Sequence, residues 1–265
     1  MVSLLVYNIV PFLHITSLIS LIFMRYLIIS DIHANLTAFE TVLEDSQGKW
    51  DVIWCLGDII GYGPKPNECV ALIRDSEHIA LSGNHDWAVL NRLDLANFND
   101  EARQAIKWTQ SVLTEESRVY LEELPSSIVQ GDFTLAHGSP RHPVWEYLVD
   151  EESALANFAI IETQYCLVGH SHTPFIFVEI NEKSVDLYKP MYSQPLNLEG
   201  SRLIINPGSV GQPRDYDPRA AYALLDTDKM TWEHHRVVYD VRKTQERMAS
   251  INLPGRLINR LQFGW

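Results

Sequence analysis

Cysteine is scarce: Cys55, Cys69 and Cys166 are an odd number, far apart, each inside an apolar or helical stretch. This excludes a disulfide framework and a thiolate zinc site, and no CxxC spacing exists to serve redox chemistry. Such usage points to a reduced, cytoplasmic protein. Cationic charge is also short, with 21 Lys and Arg against 34 Asp and Glu and a net charge of −13. A chain this acidic has no non-specific grip on a nucleic-acid backbone, although a local cationic or metal-filled cleft still binds phosphate. Past Met24 there is no internal repeat, low-complexity run or linker. What is present, 46% hydrophobic and 21% charged residues over 265 positions, is enough for a sizeable globular core.

Residues 1–24 contain no Lys, Arg, Asp or Glu. The apolar run Leu18 to Met24 raises a membrane-anchor reading, but Asn8, Pro11, His14, Thr16, Ser17 and Ser20 interrupt the segment. It also lacks the basic start and small-residue cleavage site of a signal peptide. Met24-Arg25-Tyr26-Leu27 makes a natural beginning directly before a first strand. Residues 1–23 are therefore expected to be an apolar extension arising from a start-site error, with Met24 the true start and no membrane attachment. An N-terminal mass from the native source that includes Val2 to Phe23 would overturn this. Residues 24–265 are read as a single domain ending in a helical tail.

Apolar runs at 26–30, 52–56 and 78–82 each end in a polar, glycine-flanked loop and are followed by helical periodicity, about 35–45, 66–74 and 87–124. Strand, loop and helix repeated in this way imply a βαβαβ core with a parallel sheet. Strands return at 127–130, 133–136 and 165–168, with a helix at about 151–162 between the last two. Beyond Pro174 the pattern is hairpin-like, with strands at 175–180, 184–188, 202–206, 220–225 and 231–238 that read as a second, largely antiparallel sheet. The tail, Val241 to Trp265, reads as helices broken at Pro254-Gly255.

Five strand-end loops carry metal-type donors: Asp31 and His33, Asp58, Asn84 and His85, His137, and His170 and His172. Singly each has an ordinary explanation, since a loop histidine usually packs or faces water and an Asp or Asn often caps a turn. His78, His142, His234 and His235 are left with that explanation. Five such loops together are not explained by it. Two carboxylates, one amide and four imidazoles, with His85 left over, are too many donors for one four-coordinate zinc. Mixed oxygen and imidazole donors suit Mn, Fe, Zn, Ni or Co, and a pair of such ions serves phosphoester hydrolysis. Asp58, after the strand Val52–Leu56 and before Gly61 and Gly63, is the natural bridge.

These residues resemble the motif set of the calcineurin-like binuclear metallophosphoesterases: Asp31-x-His33, Gly57-Asp58, Gly83-Asn84-His85-Asp86, His137 and Gly169-His170-x-His172. The stretches Gly57-Asp58-x-x-Gly61-Tyr62-Gly63-Pro64 and Asn206-Pro207-Gly208-Ser209-Val210-Gly211 are similar to its small prokaryotic, diadenosine tetraphosphatase-like branch. The resemblance runs from about Arg25 to Arg214. It implies an α/β fold, a four-layer αββα sandwich of two mixed β-sheets flanked by helices. It implies two divalent metal ions, Mn first with Fe, Zn, Ni or Co as alternatives. Asp31, His33 and His172 hold the first ion, Asn84, His137 and His170 the second, and Asp58 bridges. A metal-bridging hydroxide is the implied nucleophile, His85 the general acid, and Asp86 its orienting partner. Arg214 and Arg141 are candidates to hold a phosphate oxygen.

In the protein-phosphatase branch an Asp-Arg-Gly signature follows the Gly-Asp. Here the stretch is Ile59-Ile60-Gly61-Tyr62-Gly63. This favours small phosphoester substrates, diesters or nucleotides, over phosphoproteins. The alternatives are a protein phosphatase, a dinucleoside polyphosphate hydrolase, and a non-catalytic scaffold of the same fold.

Overall fold

The computed structural model describes residues 24–265. The expectation about residues 1–23 lies outside the described residues. Twelve strands and eight α-helices follow in the order β1 (Arg25–Ile29), α1 (Leu36–Asp45), β2 (Val52–Cys55), α2 (Pro66–Arg74), β3 (His78–Ala80), α3 (Asn84–Val89), α4 (Asp100–Val112), α5 (Glu115–Glu123), β4 (Ser127–Gln130), β5 (Phe133–Ala136), α6 (Glu151–Phe158), β6 (Tyr165–Leu167), β7 (Phe175–Asn181), β8 (Ser184–Tyr188), β9 (Pro195–Asn197), β10 (Leu203–Asn206), β11 (Ala220–Asp226), β12 (Thr231–Val237), α7 (Val241–Ser250) and α8 (Gly255–Arg260).

The strands form two six-stranded sheets, ordered β3-β2-β1-β11-β12-β9 and β4-β5-β6-β10-β7-β8. Both are mixed. β1, β2 and β3 run parallel in the first sheet, and β5, β6 and β10 run parallel in the second. This corrects the assignment of every strand after Pro174 to one antiparallel sheet. β7, β8 and β10 join the second sheet, while β9, β11 and β12 pair outward from β1 in the first. The cause is non-local: β11 lies antiparallel to β1 almost 200 residues away, a pairing no local pattern encodes. β9 escaped notice because it is short, exposed and headed by Pro195, the mark of an edge strand.

Strand alternation builds the layers. Leu27 and Ile29 of β1 pack with Phe39, Val42, Val70 and Ile73 of the covering helices, whereas Ile28 points into the other sheet with Trp54, Leu135, Leu167 and Ile205. On the far side, Phe177 and Ile204 of the second sheet bury Ala154 and Phe158 of α6. The result is helices, sheet, sheet and helix. The six parallel strands deliver six loops at their carboxyl ends, where open α/β sheets place ligands.

α3 starts at Asn84, not after Trp87. The Asp86 carboxylate accepts the Gly83 N–H at 2.8 Å and so satisfies a donor that the helix start leaves unpaired.

Candidate metal centre

The loops are laced together before any ion is considered. Asp31 N–H donates to Gly57 O, His33 N–H to Asp58 O and Ala34 N–H to Ile59 O, at 2.9 to 3.0 Å. Val210 N–H and Gly211 N–H donate to Ser30 O and Asp31 O, tying in the loop after β10. Asp31, His33, Asp58, His170 and His172 all have φ between 49° and 62°. The left-handed region costs a non-glycine residue about 1 kcal/mol or more, so this lacing holds strained backbone at the donors. Close approach is demanded as well: a Cβ on Gly83 would lie 2.0 Å from Asp58 Oδ1.

Six donors converge in two groups that share Asp58: Asp31, His33, Asp58 and His172, then Asp58, His137 and His170. All six are almost wholly buried. Asp58 Oδ1 accepts the His85 N–H at 2.8 Å, which leaves Oδ2 without a hydrogen bond, 3.5 Å from His33 Nε2 and 3.4 Å from His137 Nε2. Asp31 Oδ2 accepts the His170 N–H, and the unpaired Oδ1 lies 3.2 Å from His172 Nε2. His170 Nε2 is buried and unpaired. Asn84 Oδ1 lies 3.2 Å from His137 Nε2, so the amide joins the second group.

Backbone carbonyls set the tautomers. The Nδ1 atoms of His33, His137 and His172 lie 3.2, 2.9 and 2.6 Å from Ile60 O, Leu56 O and Gln212 O. An Nδ1–H bonded to a carbonyl leaves the Nε2 lone pair facing the centre, the usual arrangement of a ligating imidazole. Orphaned carboxylate oxygens beside inward lone pairs, all away from water, are a donor set that fits divalent cations.

Burial drives the imidazoles of His33, His170 and His172 well below their ordinary pKa. Burial acts the same way on His137, but the nearby Asp58 carboxylate raises it to about 9. Burial acts upward on Asp58, yet His137, His85 and His33 together hold it below the carboxylate range. Burial, reinforced by Asp58, raises Asp31 to about 6. A cation arriving at these residues competes with protons for the same nitrogen and carboxylate lone pairs.

The model of the calcineurin-like phosphoesterase superfamily domain matches residues 24–230. The chain belongs to the calcineurin-like phosphoesterase superfamily. This metallophosphoesterase is 40% identical over 245 residues to an uncharacterized protein of Methanocaldococcus jannaschii, covering 89% of the chain and 97% of that protein. It is similar to the crystal structure of a metallophosphoesterase from Sphaerobacter thermophilus, with a TM-score of 0.84 and 48% identity over 91% of this chain and 99% of the other. It also matches phosphodiesterase YfcE of Escherichia coli at 27% identity over 221 residues, 78% of this chain and 90% of that one.

The remaining expected site residues of the phosphoesterase fall in different places. His85 lines the cleft above the donors, its Nδ1 buried and unpaired, and burial lowers it to about 4 against the pull of Asp58. Asp86 does not touch His85 through a hydrogen bond. Its oxygens take the N–H groups of Gly83, Ile59 and Ile60, clamping the loop that carries Asp58. Arg214 lines the cleft, with Nη2 3.1 Å from Gln212 Oε1 and 3.5 Å from the Tyr62 hydroxyl. Arg141 does not reach the cleft. It is exposed and paired with Glu146, which Ser139 and Asn157 also hold. Sequence reasoning passed over the aromatic wall, Tyr62, Phe98, Trp145 and Tyr147. Tyr62 stands 4.3 Å from the His85 ring and Tyr147 stacks on His170 at 3.9 Å. Only Tyr62 had a signal, its place in the loop after Asp58.

No helix among the described residues is long and apolar enough to cross a membrane.

Proposed function

We propose that this metallophosphoesterase hydrolyses small or nucleotide-type phosphoesters, diesters foremost, with Asp31, His33 and His172 holding one divalent ion, Asn84, His137 and His170 a second, and Asp58 bridging them. The observation that carries this reading is Asp58 Oδ2, a single unpaired oxygen within 3.5 Å of an imidazole from each donor group. Two ions at these residues supply Lewis-acid polarisation of the phosphoryl oxygens and a lowered pKa for attacking water.

The chain's own groups do the rest. Arg214 offers its guanidinium to a non-bridging oxygen of the substrate from the cleft wall. His85 is neutral in the substrate-free protein because burial lowers it. An anionic phosphoester brought beside it acts in the opposite direction, so the ring takes up a proton from solvent as the substrate binds and can pass it to the leaving oxygen. Asp86 positions the Asp58 loop through its backbone clamp. Phe98, Trp145 and Tyr147 give the cleft an apolar side against which an ester group packs.

Preference for diesters is supported by the likeness to YfcE, a phosphodiesterase, and by the Ile59 to Gly63 stretch in place of a phosphatase Asp-Arg-Gly. Manganese is the first ion to test. The three cysteines, all free and buried, fit a cytoplasmic setting.

The test is hydrolysis of bis(p-nitrophenyl) phosphate by metal-stripped protein on addition of Mn²⁺. Activity returns in the native protein and falls by about 100-fold or more in Asp58→Asn. Undiminished turnover by Asp58→Asn with both ions removed defeats the reading.

A further inference from the structure

The cleft does not end at the metal donors. Past Tyr62 and Arg214 it opens into a second hollow of about 270 Å³, walled by Arg256 and Arg260 of α8, with Trp265 behind them and Glu101 of α4 on the rim. Tyr62, Asn99, Tyr147 and Arg214 line both hollows, which makes them one continuous cleft.

Three guanidiniums and one acidic side chain, Glu101, line this hollow, in a chain whose net charge is −13. The single ion pair is loose: Arg256 Nη1 stands 3.6 Å from Glu101 Oε1, and the Arg256 side chain is 74% exposed. An exposed pair of that kind neutralises little. Arg260 Nε donates to the main-chain oxygen of Trp265. Arg214 donates only to the Gln212 side-chain oxygen and the Tyr62 hydroxyl, and its Nε is buried without a partner. Among the described residues no Asp or Glu side chain pairs with Arg214 or Arg260. Burial and then the neighbouring Arg214 push Arg260 down to about 10.

We propose that this arginine pocket binds a second phosphate group of the substrate while the scissile phosphate lies at the metal donors. Guanidinium is the side chain suited to that task, because its fork of N–H groups matches phosphate oxygens two at a time. Arg256 and Arg260 supply positive charge on the pocket side, and Arg214 stands where the two hollows meet. Tyr62 and Arg214, common to both hollows, are the hinge over which such a substrate passes. The site thus favours phosphoesters with two phosphate groups over those with one. The proposal rests on the phosphoesterase reading above for the location of the scissile phosphate. The second phosphate is either joined to the first as an anhydride or carried across a sugar.

Calorimetric titration of the full chain loaded with Mn²⁺ decides the matter, using AMP, ADP and adenosine 3′,5′-bisphosphate. The last two each add one phosphate to AMP, in anhydride linkage and across the ribose respectively. Nucleotides are chosen because Tyr147 and Trp265 present half-exposed aromatic rings beside the pocket. At least one of the two binds about tenfold tighter than AMP, and which one does so identifies the linkage. In Arg256→Gln and in Arg260→Gln that advantage shrinks to about threefold or less. Arg256 is exposed enough that its substitution leaves the fold intact, so the test stands even if the Arg260 variant does not fold. Equal affinity for all three nucleotides in the native protein, or an advantage that survives Arg256→Gln, overturns the proposal. None of these measurements needs turnover. If bis(p-nitrophenyl) phosphate is not hydrolysed, the phosphoesterase reading of this cleft fails while the nucleotide comparison still decides on the arginine pocket.

Discussion

His33 Nε2 and His172 Nε2 face each other at 3.0 Å, while each ring's Nδ1 sits on a backbone carbonyl, that of Ile60 and that of Gln212. With both Nδ1 atoms donating, two lone pairs point at one another in a buried site. A cation removes that repulsion: ligand atoms about 2.1 Å from one ion and at right angles to each other are about 3.0 Å apart. The chain therefore gains stability from metal in a way that needs no substrate. Thermal unfolding should shift upward on addition of Mn²⁺ to stripped protein, by an amount equivalent to about 2.7 kcal/mol at a hundredfold excess over the dissociation constant. In His172→Ala most of that shift disappears.

His85→Ala should lower kcat by about 100-fold or more with little change in bound metal, since its ring nitrogens are not in either donor group. The size of the loss separates proton donation from positioning. A proton donor matters most when the leaving oxygen is basic, so the loss is larger for an alkyl ester than for a p-nitrophenyl ester. Equal losses on both esters would leave His85 as a positioning residue.

Gly83→Ala should disrupt the centre without replacing a donor residue. The added Cβ would meet Asp58 Oδ1 at 2.0 Å and Asp58 N at 2.5 Å, and backbone cannot swing aside as a side-chain tip can. Metal content measured by plasma emission falls below half of the native value. Gly131→Ala is the comparison, because nothing lies within 4 Å of its Cβ position. Its cost is only that of a left-handed turn residue, about 1 kcal/mol, and its metal content is native.

His234 gives the protein an acid-sensitive stability away from the metal donors. Its Nδ1 accepts the Trp232 indole N–H at 2.9 Å and its Nε2 bonds Asn206 O at 3.0 Å, a pairing that only the neutral ring satisfies. Burial lowers its pKa to about 4 from an ordinary 6.5. Between those values the unfolded chain binds a proton that the folded chain refuses. The stabilisation is whole above pH 6.5 and is lost as pH falls toward 4, a change of about 3 kcal/mol at most. Urea midpoints of the native protein and His234→Gln should draw together as pH drops from 7 to 4.5. A constant gap between them would refute this.

Much of the chain was legible in order. The strands ending at Ile29, Cys55, Ala136 and Leu167, and the helices capped by Asn35, Asn99 and Thr114, follow from periodicity and capping residues that act within a few positions. Other features were not. The start of α3 depends on Asp86 reaching back to Gly83, and Arg141 looks like a phosphate ligand until Glu146, five residues on, takes its charge. Arg256 and Arg260 lie in a tail that reads as helices broken at Pro254-Gly255, and nothing nearby in the chain signals that α8 turns them toward Arg214.

By itself the sequence determined which donor types the chain owns and that each stands in a loop after a strand, because strand periodicity and glycine punctuation are local. Tertiary structure decided that these loops meet. That required β1 to pair with β11, and the two sheets to bring three parallel strands each to a common edge. It also decided what each donor presents. Remote backbone supplies the carbonyls of Ile60, Leu56 and Gln212 that aim the imidazoles, and the laced loops hold Asp58 and four companions in the left-handed conformation. Such geometry is imposed from segments up to 180 residues away, the separation between Ser30 and Val210, and local propensity opposes it.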